Sequence, residues 1–180
     1  MPSGNDPTRS YDLFIRSDLL RLQEIAARDR EGFFERNRKY DDLRNHVVAV
    51  ALCQGAALHF VDGRNGIKDI DVWTFYAPHP ALRYPSRRPV RSYDFGDPRF
   101  GKTEDSPHFV GRRVDCLGRS LTRVLDDPAG TLRVYLSEAR TSSARELARK
   151  AVVIIEPVDR LGCVVMPADC ARPLGWREWH

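Results

Sequence analysis

A chain of 180 residues with 42% hydrophobic content and a formal net charge of +4 has the size and apolar supply of one packed domain, so no second domain need be invoked. No run approaches the ~18 consecutive apolar residues of a membrane-spanning helix, and Met1 to Ser10 lacks an apolar signal core, so a cytoplasmic protein without membrane contact is expected. Cys53, Cys116, Cys163 and Cys170 are scattered with no Cys-x-x-Cys, which argues against a disulfide framework or a zinc site and for reduced thiols.

Residues 1–10 read as a disordered tail and 11–180 as a single domain. Ile15, Leu19, Leu22 and Ala26 recur at i, i+4, i+7 and i+11, which predicts a helix from Tyr11 to Arg30 that Gly32 ends. Phe33 and Phe34 serve as core anchors in the connection, with a second short helix over Phe34 to Arg44. Six basic and five acidic residues alternate from Arg28 to Arg44, the pattern of a solvated face. His46 to Cys53 is apolar on both alternations after its first residue and reads as a central strand covered on both faces.

After Gly55, a short helix over Ala56 to Val61 ends at Asp62-Gly63. Ile67 to Tyr76 is rich in β-branched and aromatic residues and predicts a second strand. Its alternation puts Asp69, Asp71, Trp73 and Phe75 on one face. Two carboxylates at i and i+2 stand roughly 6.5 to 7 Å apart at ~3.3 Å rise, close enough to demand a divalent cation or a basic partner if buried.

Pro78 to Ser106 is a Pro-, Gly- and Arg-rich excursion of a length associated with function or disorder. Arg83, Arg87, Arg88, Arg91, Arg99 and Lys102 face only Asp94 and Asp97 there, so the positive field is local. Arg87 and Arg88, adjacent and flanked by Pro85 and Pro89, are the strongest candidates for phosphate contact. Asp94-Phe95-Gly96 reads as a turn, and His59 as a packing or surface residue.

Phe109 to Leu117 predicts a third core strand carrying Asp115 between Val114 and Cys116. A helix interrupted near Pro128-Ala129-Gly130 follows over Leu121 to Leu136, then a capping-box helix from Ser143 to about Val153. Val152 to Ile155 and Cys163 to Met166 suggest an edge hairpin or a helix end plus one strand, and Trp176 and Trp179 suggest docking onto the body. The fold class expected is α/β (α+β), a mixed sheet with flanking helices.

In order, the chain thus presents a buried strand, Gly55-Ala56, a short helix, Asp69-x-Asp71 and then Asp115 in an apolar strand. This constellation, over residues 46–117, resembles the DNA polymerase β-like nucleotidyltransferase superfamily of minimal type. The pattern there is a hydrophobic strand, Gly-Gly or Gly-Ser, nine to thirteen residues, an Asp-x-Asp pair and a third acid flanked by hydrophobics. Twelve residues separate Ala56 from Asp69, inside that window. Alanine stands at position 56 where the family more often has serine or glycine, which removes a hydroxyl from the phosphate turn but leaves its backbone N–H groups.

The resemblance implies magnesium- or manganese-dependent transfer of a nucleoside monophosphate from a nucleoside triphosphate such as ATP, releasing pyrophosphate. Asp69 and Asp71 would bridge two metal ions and Asp115 would ligate the one beside the attacking group. Gly55, Ala56, Arg87 and Arg88 would hold the phosphates. The acceptor, a small molecule, a partner protein or RNA, is left open, and little chain remains for a separate acceptor domain, which points to a small acceptor, a partner or a homodimer interface. No platform of interleaved aromatic and basic residues supports nucleic acid binding. The alternative is a non-catalytic or antitoxin-like partner protein on the same fold. A metal-dependent nuclease is a third reading, disfavoured because no Glu-x-Lys or Asp-x-Lys follows in a strand.

Overall fold

The run from Val47 to Cys53 is apolar on both sides because it forms an inner strand, β1 (Val47–Cys53), whose last five residues are buried. The computed structural model describes residues 6–86 and 88–169; Arg87, Cys170, Trp176 and Trp179 lie outside them. Ahead of β1 come α1 (Arg16–Arg36) and a 3₁₀ helix (Arg38–His46). After it follow α2 (Gln54–Asp62), β2 (Ile70–Tyr76), β3 (Arg91–Asp94), β4 (Arg113–Ser120), α3 (Pro128–Glu138), α4 (Ser142–Ala148), β5 (Ala151–Glu156) and β6 (Val164–Met166). The strands form one mixed sheet in the order β3-β4-β2-β1-β5-β6. All neighbours are antiparallel except β2 and β4, which are parallel. The mixed sheet with flanking helices matches the expected fold class.

Alternation along the strands divides the core. Val50, Leu52, Ile70, Val72, Val114 and Cys116 join Leu19, Leu22, Ile25 and Ala26 of α1 and Ala56, Ala57 and Phe60 of α2 in one cluster. Ala49, Ala51, Cys53, Trp73 and Phe75 join Leu132, Leu136 and Leu147 of α3 and α4 in another. Each fully buried leucine there contributes about 1.5–3 kcal/mol relative to exposure, so both helical layers are held by area rather than by helix propensity.

Several boundaries differ from expectation, each for a local reason. Helix α1 starts at Arg16, where the Ile15 N–H donates to the Asp18 carboxylate at 2.8 Å. It runs through Gly32 to Arg36 because Phe33 and Phe34 continue its buried face, packing with Leu43, Tyr76 and Tyr84. Residues 6–10 are tied to the body: Ser10 bridges Ile67, and Arg9 donates to the Asn65 carbonyl at 3.1 Å. Helix α2 ends as expected on Gly63, at φ 65° in the left-handed region.

Pro128 opens α3 instead of interrupting a longer helix, because Asp127 caps the Gly130 N–H and proline suits the first turn. Helix α4 is capped by Thr141 and stops at Ala148, since Val152 and Val153 are drawn into β5 beside β1. The two late apolar runs do form a hairpin, but β5 lies inside the sheet and only β6 is at the edge.

The excursion between β2 and β4 is built structure. It adds β3 to the sheet edge, and Gly118 of β4 allows the Tyr84 ring to lie where a Cβ would meet it at 2.5 Å. Arg99 pairs with Asp18 at 2.7 Å, and Arg88 pairs with the buried Asp29 at 2.6 and 3.0 Å. Asp29 also accepts from the Tyr93 hydroxyl at 3.1 Å, so one α1 carboxylate holds both the Arg88 segment and β3. Breaking a buried ion pair costs about 3–5 kcal/mol because the partner is left uncompensated. Asp29→Ala should therefore lose about that much in urea unfolding, whereas Tyr93→Phe, losing one hydrogen bond, should lose about 1 kcal/mol.

Candidate active site

Asp71 lies on β2 between two register partners, Cys53 of β1 and Asp115 of β4. The parallel pairing sets the two aspartates side by side on the face that carries Trp73, Phe75 and Leu117. Asp69 precedes the first residue of β2, so the second strand is three residues shorter at its start than expected and Asp69 belongs to the turn that enters it. The three acids thus meet at the end of the sheet where β1 finishes and β2 and β4 begin.

Arg113, two residues before Asp115 on β4, lies across the group. Its Nη2 is 3.6 Å from Asp69 Oδ1 and its Nε 3.3 Å from Asp115 Oδ1. The buried Nε nevertheless has no hydrogen-bond partner, so the contact is one of charge rather than directed bonding. Ser92 of β3 donates to Asp115 Oδ1 at 2.5 Å, leaving Oδ2 with no hydrogen bond among the described residues.

The Asp71 carboxylate makes neither hydrogen bond nor ion pair among the described residues. Burial, then the charges of Asp115 and Asp69, push its pKa up to about 6, against the opposing charges of Lys150 and Arg113. Lys150 follows α4, and the next residue, Ala151, bridges Gln54, so the ammonium-bearing residue and the start of α2 flank the same side of the acids. The Cys53 thiol, by contrast, is raised well above its ordinary value by burial and then by Asp71, which makes it an inert packing group.

Helix α2 begins immediately after β1, and its N-terminus has no side-chain cap. Its leading N–H groups are the free donors of a helix start at the positive end of the dipole. Gln54 turns the chain into this helix at φ 61°, an uncommon conformation for a residue with a side chain. Ala56 is fully buried among apolar residues on the α1–α2 side of the sheet, so its methyl packs the core and a serine hydroxyl there would face hydrocarbon. The departure from the Gly-Ser pattern is therefore a packing choice in this chain, and of the two residues only the half-buried Gly55 is offered to a ligand.

The basic candidates fare differently. The Arg88 guanidinium is consumed by Asp29 and Tyr84 and lies over the Phe33 ring at 4.9 Å, so it is structural and unavailable to phosphate. Arg87 is outside the described residues. The cations that do surround the acids are Arg113, Lys150 and, beside Asp69, Lys68 and Arg112. Of these, the Arg113-x-Asp115 spacing on a strand was a readable signal, since i and i+2 share a face. Lys150 carries none, being brought in by the β1–β5 pairing.

Two minor expectations hold. Asp94 accepts from the N–H groups of Gly96, Val110 and Gly111, which makes Asp94-Phe95-Gly96 a turn. His59 is fully buried, its Nδ1 accepting from the Gly66 N–H at 3.0 Å, hence a packing residue.

Hard carboxylate oxygens, one of them unpartnered and two bridged by a guanidinium standing in for a cation, are a donor set suited to magnesium. As arranged, no group of three His, Cys, Asp or Glu among the described residues encloses a metal position. No helix among the described residues is long and apolar enough to cross a membrane. No family model, no curated protein and no solved structure matches the chain.

The raised Asp71 pKa has a definite sign in stability. Below the unfolded value, near 4, both states hold the proton. As pH rises toward 6 the unfolded chain ionises first, so the folded state loses stability across that window and stays penalised above it. In the metal-free protein Asp71→Asn should therefore be more stable than wild type at pH 7.5, by on the order of 1–3 kcal/mol, with the gain gone at pH 4. Urea melts at the two pH values measure it.

Proposed function

We propose that the protein transfers a nucleoside monophosphate from a nucleoside triphosphate to an acceptor hydroxyl, with Asp69, Asp71 and Asp115 as the reacting centre. The observation that carries this reading is the register of the parallel β2–β4 pair, which sets Asp71 directly beside Asp115 and next to the uncapped start of α2. Such an arrangement brings together carboxylates and a helix N-terminus, groups that serve opposite ends of one phosphoryl transfer. The resemblance to nucleotidyltransferases in residues 46–117 rests on the same residues.

Magnesium held by Asp69 and Asp71, with Asp115 completing the set, would neutralise triphosphate charge and lower the pKa of the acceptor hydroxyl. The backbone N–H at Gly55 binds a phosphate oxygen, and the Lys150 ammonium adds a point charge on the same side. Asp115 takes the acceptor hydroxyl proton at Oδ2, the oxygen that Ser92 and Arg113 leave free. The acceptor oxygen forms its bond to the α-phosphorus as the bond to the bridging oxygen breaks, and pyrophosphate leaves with that electron pair. Positioning and electrostatics dominate such a step.

Arg113 favours a second reading. With its guanidinium across Asp69 and Asp115 the site is partly neutralised without metal, which suits a non-catalytic partner protein that keeps the fold. The two separate on one assay: incubation with α-labelled triphosphates, manganese or magnesium, and a cell extract as acceptor source. Label transfer is expected, lowered at least about 10²-fold in Asp71→Asn and about tenfold in Lys150→Ala. Equal transfer by Asp71→Asn would remove the carboxylates from the mechanism. Absence of transfer and of pyrophosphate release with all four nucleotides would favour the non-catalytic reading.

A further inference from the structure

Beside Asp69, walled by residues 7–10 and 100–105 together with Arg112 and Arg113, lies a cleft of about 680 Å³. That volume is in the range of small-molecule sites, roughly 300–1,000 Å³. Its inner wall is Arg112, the one buried arginine or lysine among the described residues, 6% exposed. Arg112 Nε donates to the Phe100 carbonyl at 2.9 Å and Nη1 to the Thr8 carbonyl at 3.3 Å. Both acceptors are neutral, and no carboxylate among the described residues pairs with this guanidinium.

The third nitrogen, Nη2, has no hydrogen bond among the described residues. A side chain on Gly101 would approach it to 3.1 Å, so the glycine keeps it reachable. Lys68 and Lys102 are exposed on the rim without ion pairs among the described residues, and Asp69 and Arg113 form the side of the cleft nearest the reacting carboxylates. Glu104 and Asp105 also line it, and Arg112 is the buried cation of its wall. Asp69 acts on Arg112 only through its charge, without an ion-pair contact, and a buried guanidinium so weakly compensated is costly to keep unless an anion completes it.

We propose that this cleft binds the phosphate of a small phosphomonoester acceptor, with Arg112 Nη2 as the inner donor and Lys68 and Lys102 at the rim. The acceptor hydroxyl then enters from the Arg113 side while the triphosphate occupies the α2–Lys150 side, and the carboxylates lie between two anions. Calling the ligand an acceptor rests on the transfer reading above; the anion site does not.

Calorimetric titration of the metal-free protein with glycerol 3-phosphate tests the site, with glycerol and inorganic phosphate as controls. Glycerol 3-phosphate should bind saturably, more tightly than inorganic phosphate, and glycerol should not bind. The Lys68→Ala/Lys102→Ala double variant, altered only at exposed positions, should bind about tenfold or more weakly, as loss of charge-assisted contacts requires. Arg112→Lys should lose at least as much, and Lys150→Ala should bind like wild type. No saturable binding, binding indifferent to the double variant, or inorganic phosphate binding as tightly as the ester would overturn the proposal. Transfer that survives the absence of ester binding defeats this inference alone, whereas ester binding without transfer defeats only the earlier one.

Discussion

Parallel pairing of β2 with β4 is the constraint on which the rest of this molecule depends. Antiparallel neighbours can be joined by a tight turn, but a parallel pair needs the chain to travel back along the full strand length before it pairs again. Here that return is residues 77–112, and it is stapled to α1 by Arg88–Asp29 and Arg99–Asp18 and threaded past Gly118 by Tyr84. The excursion that looks like a loose basic loop is thus the connection that makes the Asp71–Asp115 register attainable. Two of its arginines, Arg88 and Arg99, serve that purpose.

The same register creates an electrostatic problem at the sheet end. Asp69, Asp71 and Asp115 converge there, and Asp71 is left partly protonated near neutral pH by burial and by its neighbours. Ordinary cores do not gather carboxylates without partners. The chain supplies partial compensation through Arg113 across two of the acids and Lys150 at a distance, yet neither makes a hydrogen bond with Asp71. The uncapped start of α2 follows Cys53, the register partner of Asp71, and Arg112 adds its charge to Asp69.

Much of the framework was legible in linear order. The apolar run at Val47 to Cys53, the period-2 alternation within Ile67 to Tyr76, the Gly63 helix stop and Asp115 between apolar neighbours each follow from local patterning, and each is found at or near its expected place. Boundaries failed where tertiary packing outweighed local signals. Gly32 did not stop α1, since Phe33 and Phe34 had a core to enter. Val152 and Val153 left the helical pattern because β1 offered a ladder to pair with. Arg88 looked free beside two prolines, but Asp29 claims it from 59 residues away in sequence.

The sequence by itself determined which residues could carry chemistry: three acids at strand starts, a glycine before a short helix and an excess of arginine. It determined them because periodicity and residue type are local properties of a chain. Only the tertiary structure decided which charges meet. Register between β2 and β4 joined Asp71 to Asp115, and the β1–β5 pairing brought Lys150 to them. Segments 7–10 and 100–105 buried Arg112 beside Asp69, while Arg88 was withdrawn into a structural ion pair. Coulomb interactions depend on separation in space, and separation in space is what a linear reading lacks.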